Sequence, residues 1–327
     1  MALRSREQEL SAWLQKGFAG PLLYMWKFFE RQQKFLAGFP EARSIIVLGA
    51  AYSNGPRSKT GQGKTPSGRI ARYALSRDYH NLLRARLKTL QTAIQQLNPW
   101  KTLRFRNTVD TSAVQERALA EAAGLGFFGK NTCLIQPKGG SFFFLCTLIT
   151  DLDLEIEAAA PNPWNCGACT LCVEACPTGA LAEPYRLDAS RCISSLTIEY
   201  RGPIEADLRP KMGDWIFGCD ICQEVCPYNR GKNSTPVEGF HAALPEEMPL
   251  ERVLKCRSEE QFQTLFRGTP LTRPGRENLV RNATVAAGNL GDPTLIPALE
   301  ECLQKDTSDL VRNHAAWALE QIQQTHG

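Results

Sequence analysis

The feature that most restricts this chain is a run of cysteines, Cys166-x2-Cys169-x2-Cys172-x3-Cys176-Pro177. A short loop with this spacing brings three thiolates to one inorganic cluster and sends the fourth to a second cluster. A second run, Cys219-x2-Cys222-x3-Cys226-Pro227, lacks a leading cysteine, and Cys192 is available to replace it. The crossing rule then assigns Cys166, Cys169, Cys172 and Cys226 to one 4Fe–4S cluster. Cys176, Cys192, Cys219 and Cys222 go to the other. Two zinc sites would need two separate tetrahedral sets and would not call for this spacing. The remaining four of the twelve cysteines, Cys133, Cys146, Cys256 and Cys302, read as buried packing residues.

The 327 residues suffice for two or three domains, each with its own core. No run of about eighteen apolar residues is present, so no transmembrane helix is expected. MALRSREQEL carries no export signal, which points to the cytoplasm, where clustered cysteines bind metal rather than form disulfides. Charge is uneven despite a net of only +4. Lys27 to Arg106 holds sixteen Lys/Arg against Glu30, Glu41 and Asp78, whereas 151–226 holds thirteen Asp/Glu against five Lys/Arg. A polyanionic partner meeting the basic part would account for this, and so would two ordinary solvated faces.

The first forty residues read as helical, with Trp13, Tyr24, Trp26 and Phe28-Phe29 as packing anchors. A strand is expected from Ser44 and a polar loop over 53–68. Leu83, Leu87, Leu90, Ile94 and Leu97 predict an amphipathic helix ending near Asn98-Pro99. Leu103, Phe105 and Val109 alternate with polar residues as in a strand. Ser112 and Gln115 give a capping-box pattern for a helix stopping at Gly124. Phe142 to Thr150 reads as a buried strand. These elements suggest an α/β or α+β first domain over 1–157, then the cysteine module over 158–230 and connecting helix and loop over 231–270. Over 271–327 an internal repeat, Leu279-Val-Arg-Asn282 and Leu310-Val-Arg-Asn313 around Asp292-Pro293, predicts HEAT-like helical hairpins. No dinucleotide or phosphate-loop fingerprint is present. Gly61-Gln-Gly-Lys-Thr has the wrong spacing and reads as a mobile loop.

Several stretches together resemble the epoxyqueuosine reductase family. They are Ser67 to His80 (SGRIARYALSRDYH), Val109-Asp-Thr-Ser112, Glu116-Arg117, Gly124 to Asn131 (GLGFFGKN), Gly140-Ser-Phe-Phe-Phe144, the first cysteine run, Arg191-Cys-Ile-Ser194 and Gly218-Cys-Asp-Ile-Cys222. The resemblance spans roughly 40–327. The family's further N-terminal strand and helix have no evident counterpart among the aromatic helices that begin this chain.

The resemblance implies an α+β fold with a cobalamin-binding α/β-type sheet domain, a ferredoxin-like two-cluster module and a HEAT-like tail. It implies an enzyme that reduces epoxyqueuosine to queuosine at the tRNA wobble position, with electrons passing through two 4Fe–4S clusters to cobalamin. Asp110 matches the family's proton donor, and a carboxyl beside a corrinoid and away from water would keep its proton through a raised pKa. Tyr79, His80 and Arg117 are candidate substrate contacts. Lys130, Asn131, Ser141, Ser194 and Asp220, together with Asp110, are expected to line the cobalamin pocket. Arg273, Arg276, Arg281 and Arg312 could track tRNA phosphates, although Arg281 and Arg312 occupy equivalent repeat positions and could brace helices instead. A monomer suffices for this chemistry, with an electron donor that the sequence does not name. A reductive dehalogenase-like enzyme acting on a small molecule and a non-enzymatic ferredoxin-type carrier are the competing readings.

Overall fold

The computed structural model describes residues 6–52, 65–155, 163–230 and 237–326. Most of the polar loop expected over 53–68, including Gly61 to Lys64, lies outside the described residues. The chain opens with α1 (Glu7–Gln15), a 3-10 turn over Leu23–Lys27 and α2 (Phe28–Ala37). Tyr24 and Trp26 are not the packing anchors expected of them, since their turn leaves both on the surface.

Three strands form the first sheet: β1 (Ser44–Ala51), β3 (Phe105–Thr108) and β6 (Phe143–Thr150), in the order β1-β6-β3. Both pairings are antiparallel, so the α+β alternative holds. Between β1 and β3 come the short β2 (Ser67–Ile70) and α3 (Tyr79–Leu97). The leucine spacing of α3 turns Leu83 and Leu87 onto the sheet, where they pack with Phe144, Cys146 and Leu148. Each such fully buried side chain stabilises the fold by about 1.5–3 kcal/mol. Asp78 caps α3 by accepting the His80 N–H. After β3 come α4 (Glu116–Ala122) and a small hairpin, β4 (Phe127–Phe128) with β5 (Leu134–Ile135). The expected Ser112 capping box does not form: α4 starts later, at Glu116, behind Gln115, whose side chain makes no cap bond.

The cysteine module contributes α5 (Leu171–Glu174), α6 (Ile193–Ile198), β7 (Trp215–Phe217) and α7 (Ile221–Glu224). Then follow β8 (Glu247–Pro249), α8 (Leu250–Leu254) and α9 (Glu259–Phe266). A second sheet, β7-β2-β8, joins segments far apart in sequence: β2 runs parallel to β7 and antiparallel to β8. Residues 67 and 68, read as loop, begin β2 instead. Gly68 suits this crowded place, because a Cβ there would stand 2.5 Å from Ile216 Cγ2.

The chain ends in α10 (Gly275–Leu290), α11 (Ile296–Lys305) and α12 (Asp309–His326), with the repeated Leu-Val-Arg-Asn on α10 and α12. These two helices approach closely at Gly288, where a Cβ would lie 2.9 Å from Ala318 Cα. One apolar core runs from Ile70, Ile216 and Phe217 through Leu250, Phe262 and Leu279 to Val311 and Ala315. It fixes the cysteine module between the sheet and the helices.

Candidate functional site

Strand β3 delivers Asp110 into a left-handed turn with φ of 57°, a conformation that needs local support in a residue with a Cβ. The support comes from Glu116. Both Glu116 carboxyl oxygens accept the Asp110 N–H at 3.2 Å, and Oε1 also accepts the Thr108 hydroxyl at 2.6 Å. Thr108 in turn pairs with Thr147 across the sheet at 2.7 Å. Burial raises the Glu116 pKa from 4.5 to about 7.

The Asp110 side chain is 51% exposed and gathers three partners at Oδ2. Tyr79 OH donates to it at 3.1 Å, His80 Nε2 stands at 3.7 Å and Arg273 Nη1 at 3.9 Å. Tyr79 is held by stacking on Phe144 at 4.1 Å and on His80 at 4.2 Å. His80 is oriented by its Nδ1, 2.7 Å from Asp78 Oδ1. Arg273 is oriented by Glu199 at 2.7 Å.

These neighbours reverse the expectation for Asp110. His80 first, then Arg273 and Tyr79, hold its carboxyl below the usual range, against the effect of burial. Reciprocally, Asp110 and then Asp78 raise the His80 pKa. The carboxyl that does carry a raised pKa is Glu116, six positions on, whose part in the site no sequence pattern signals. Arg117 points elsewhere, donating to the Thr132 carbonyl.

The cysteines form two groups. Cys166, Cys169, Cys172 and Cys226 line one cavity together with Lys130, Asn131, Leu171 and Tyr228. Cys192, Cys219 and Cys222 are electrostatic neighbours of one another, and Cys176 adjoins Cys192 and Cys219. None of the eight is in a disulfide. Four soft thiols per group fit an iron–sulfur cluster. Cys133 is not an isolated packing residue, since it is only partly buried and its thiol neighbours that of Cys222. Cys146, Cys256 and Cys302 are buried as expected.

Lys130 and Asn131 serve the cysteine loops rather than the Asp110 pocket. Lys130 Nζ donates to the Gly167 and Cys169 carbonyls at 2.7 and 2.9 Å, and Asn131 Nδ2 to Cys222 O at 3.2 Å. Ser194 donates its backbone N–H to Cys192. Ser141 Oγ bonds Gln223 at 2.9 Å, and buried Asp220 accepts the Arg72 N–H at 2.8 Å. Between Asp110 and Asp220 lies an aromatic band of Tyr52, Tyr73, Tyr79 and Phe144. Tyr73 feels both aspartates. An aromatic, largely apolar band with polar ends suits a large planar cofactor such as a corrin. So do the buried His80 Nε2 and Gln115 Nε2, which have no hydrogen-bond partner among the described residues.

The four arginines expected to follow tRNA phosphates separate. Arg273 belongs to the Asp110 pocket. Arg281 is fully buried and donates to the carbonyls of Leu196, Tyr200 and Gly202, so it cannot meet a phosphate. Arg276 is spent on buried Asp306 through two bonds of 2.9 and 3.0 Å. Arg312 pairs with Asp309 and is partly exposed.

A half-exposed acid–base cluster beside a thiol-rich module defines a redox enzyme of the iron–sulfur class. The comparisons narrow this class. Residues 165–229 match a 4Fe-4S double cluster binding domain, and 33–111 match the epoxyqueuosine reductase QueG (DUF1730) model. The epoxyqueuosine reductase of Pseudomonas aeruginosa is 40% identical over 321 residues, covering 97% of this chain and 87% of that protein. That of Escherichia coli K12 is 40% identical, covering 98% and 83%. Epoxyqueuosine reductase from Streptococcus thermophilus superposes with a TM-score of 0.78 at 32% identity, over 88% of this chain and 76% of that one. A crystal structure of epoxyqueuosine reductase with an epoxyqueuosine-modified tRNA-Tyr stem loop gives 0.76 at 33% identity, over 88% and 75%. The chain belongs to the epoxyqueuosine reductase family. The dehalogenase-like and electron-carrier readings fall with that assignment. Among the described residues no helix is long and apolar enough to cross a membrane.

Proposed function

We propose that this protein reduces epoxyqueuosine to queuosine at the wobble position of tRNA, consuming two electrons and two protons and releasing the epoxide oxygen as water. One observation carries the residue assignments. Asp110, in contact with His80 and Arg273, stands at one end of an aromatic band whose other end, Asp220, adjoins cluster ligand Cys219.

Cobalamin, when bound, supplies the reducing metal centre. Asp220, Ser141 and Ser194 would flank it, with Lys130 and Asn131 fastening the cysteine loops behind. Cys166, Cys169, Cys172 and Cys226 would hold one 4Fe–4S cluster, and Cys176, Cys192, Cys219 and Cys222 the other. The segment divisions at 157, 230 and 270, with α10–α12 as a HEAT-like unit, complete this reading.

The chain's own part is to bind the modified nucleoside and manage its protons. Asp110 and Asp78 raise the His80 pKa, and Asp110 is the group between it and the pocket. Proton transfer from His80 through Asp110 to the departing oxygen returns Asp110 to the carboxylate that its neighbours stabilise. Tyr79 holds Asp110 by its hydroxyl, and Arg273 keeps the carboxylate in place.

Anaerobically purified protein with a chemical reductant and cobalamin should convert epoxyqueuosine-containing tRNA to queuosine-containing tRNA, read by nucleoside mass spectrometry. Conversion that ignores cobalamin would sink the cofactor assignment. Cys226→Ser should perturb the cluster of the first cysteine motif; an unchanged first-cluster spectrum would refute the crossed ligand set.

A further inference from the structure

The segment between α1 and α2 carries an exposed cluster that the reaction leaves unexplained. Leu23, Tyr24 and Trp26 are 73%, 45% and 55% exposed, three of the five positions of one 3-10 turn.

The turn is held in place from both sides. Trp13 Nε1 donates to Leu187 O at 2.6 Å, and Phe18 O accepts the Ala189 N–H at 2.8 Å, which ties the segment to the cysteine module. On the other side Arg31 Nη2 reaches the Thr111 carbonyl at 3.1 Å, next to Asp110. Arg84 Nη2 approaches the Thr111 hydroxyl at 3.5 Å. Tyr24 itself lies within electrostatic reach of Asp110, Glu199, Arg273 and Arg117. The turn is thus a lip on the rim of the Asp110 pocket, and exposed arginines flank it.

We propose that Tyr24, supported by Trp26, is a stacking platform for an unpaired anticodon-loop nucleotide next to the wobble nucleoside, with Arg31 and Arg84 facing the adjoining phosphates. This rests on the tRNA reading above and adds where the RNA sits. An aromatic face beside cationic side chains is the chemistry that holds single-stranded nucleic acid, since every base has a face to stack. The basic balance of 27–106 supplies the matching charge. A protein partner docking on an apolar turn would not need it at the mouth of the catalytic pocket.

The test uses the full-length protein and a labelled, unmodified anticodon stem-loop RNA followed by fluorescence anisotropy. Tyr24→Ala should weaken binding by about tenfold, and Tyr24→Leu by a similar factor, because bulk without an aromatic face does not stack. Tyr24→Phe should bind within about twofold of wild type. The slope of log Kd against log salt should be unchanged in Tyr24→Ala and shallower by roughly 0.7 in Arg84→Ala, as for one lost phosphate contact. Thermal midpoints should match wild type, since Tyr24 is half exposed. Unchanged RNA affinity in Tyr24→Ala overturns the platform. Unchanged affinity together with slower turnover by a protein reductant would assign the turn to that partner and also overturn it. Failure of the wild type to bind RNA would instead sink the tRNA reading beneath it.

Discussion

Two regions of this molecule hold cationic and polar side chains, and they treat them oppositely. Around Asp110 the carboxylate is half exposed, His80 Nε2 and Arg273 stop at 3.7 and 3.9 Å from it, and the His80 nitrogen makes no hydrogen bond. Around Arg281 the guanidinium is sealed, with the carbonyls of Leu196, Tyr200 and Gly202 at 2.6–3.0 Å. Asn282 beside it bonds Thr197 O and Ile216 O, both at 2.9 Å. His314 nearby is equally saturated. It receives the Ile204 N–H and bonds Leu310 O, while burial lowers its pKa to about 4. Saturation makes the helical layer a fixed brace for the cysteine module. Incomplete pairing leaves the pocket groups able to exchange protons and partners. The repeat makes the same point internally: Arg281 on α10 is sealed, and its counterpart Arg312 on α12 is partly exposed.

The sharpest way to break this contrast is Arg281→Ala. It strips donors from three carbonyls in a sealed site and should cost roughly 3–5 kcal/mol of stability. Chemical denaturation would measure it, and a loss under 1 kcal/mol would mean that the layer relaxes rather than braces. Glu116→Gln should have a smaller effect, concentrated in the pocket. It keeps an acceptor for Thr108 but weakens the grip on the Asp110 N–H, so turnover should fall several-fold. It also tests linkage. The folded Glu116 keeps its proton to about pH 7 against an ordinary 4.5, so this group removes stability as pH rises through that window. Glu116→Gln should flatten the decline, and an unaltered stability–pH curve would show that Glu116 is not buried as described. Smallest of all, Arg312→Ala should change stability by less than about 1 kcal/mol, since its partner Asp309 is 86% exposed. A large loss there would erase the distinction between the two repeat copies.

How much of this was legible follows from the range over which each feature is specified. The cysteine grouping and α3 are local patterns and were read from spacing. Strand β6 was read as a buried strand from its apolar run, but its antiparallel pairing with β1 and β3 was not. Strand β2 was missed because four residues with a central glycine carry no period. Its partners β7 and β8 are far along the chain, and they make it a strand. The same distance hid the state of Asp110: His80 comes from the first turn of α3, and Arg273 enters from just before α10. The repeat predicted helices correctly but could not say which of its arginines would be sealed. Tyr24 and Trp26 were expected inside because aromatic residues usually are; the turn that exposes them has no sequence signal beyond Gly20-Pro21 before it.

The central claim is that Asp110 passes the proton on which oxygen loss depends. Asp110→Asn should be purified anaerobically beside wild type, with iron, sulfide and cobalamin contents measured, and both assayed on epoxyqueuosine-containing tRNA. The account predicts equal cofactor contents and turnover lower by about 100-fold or more. Equal contents with near-normal queuosine formation would contradict it.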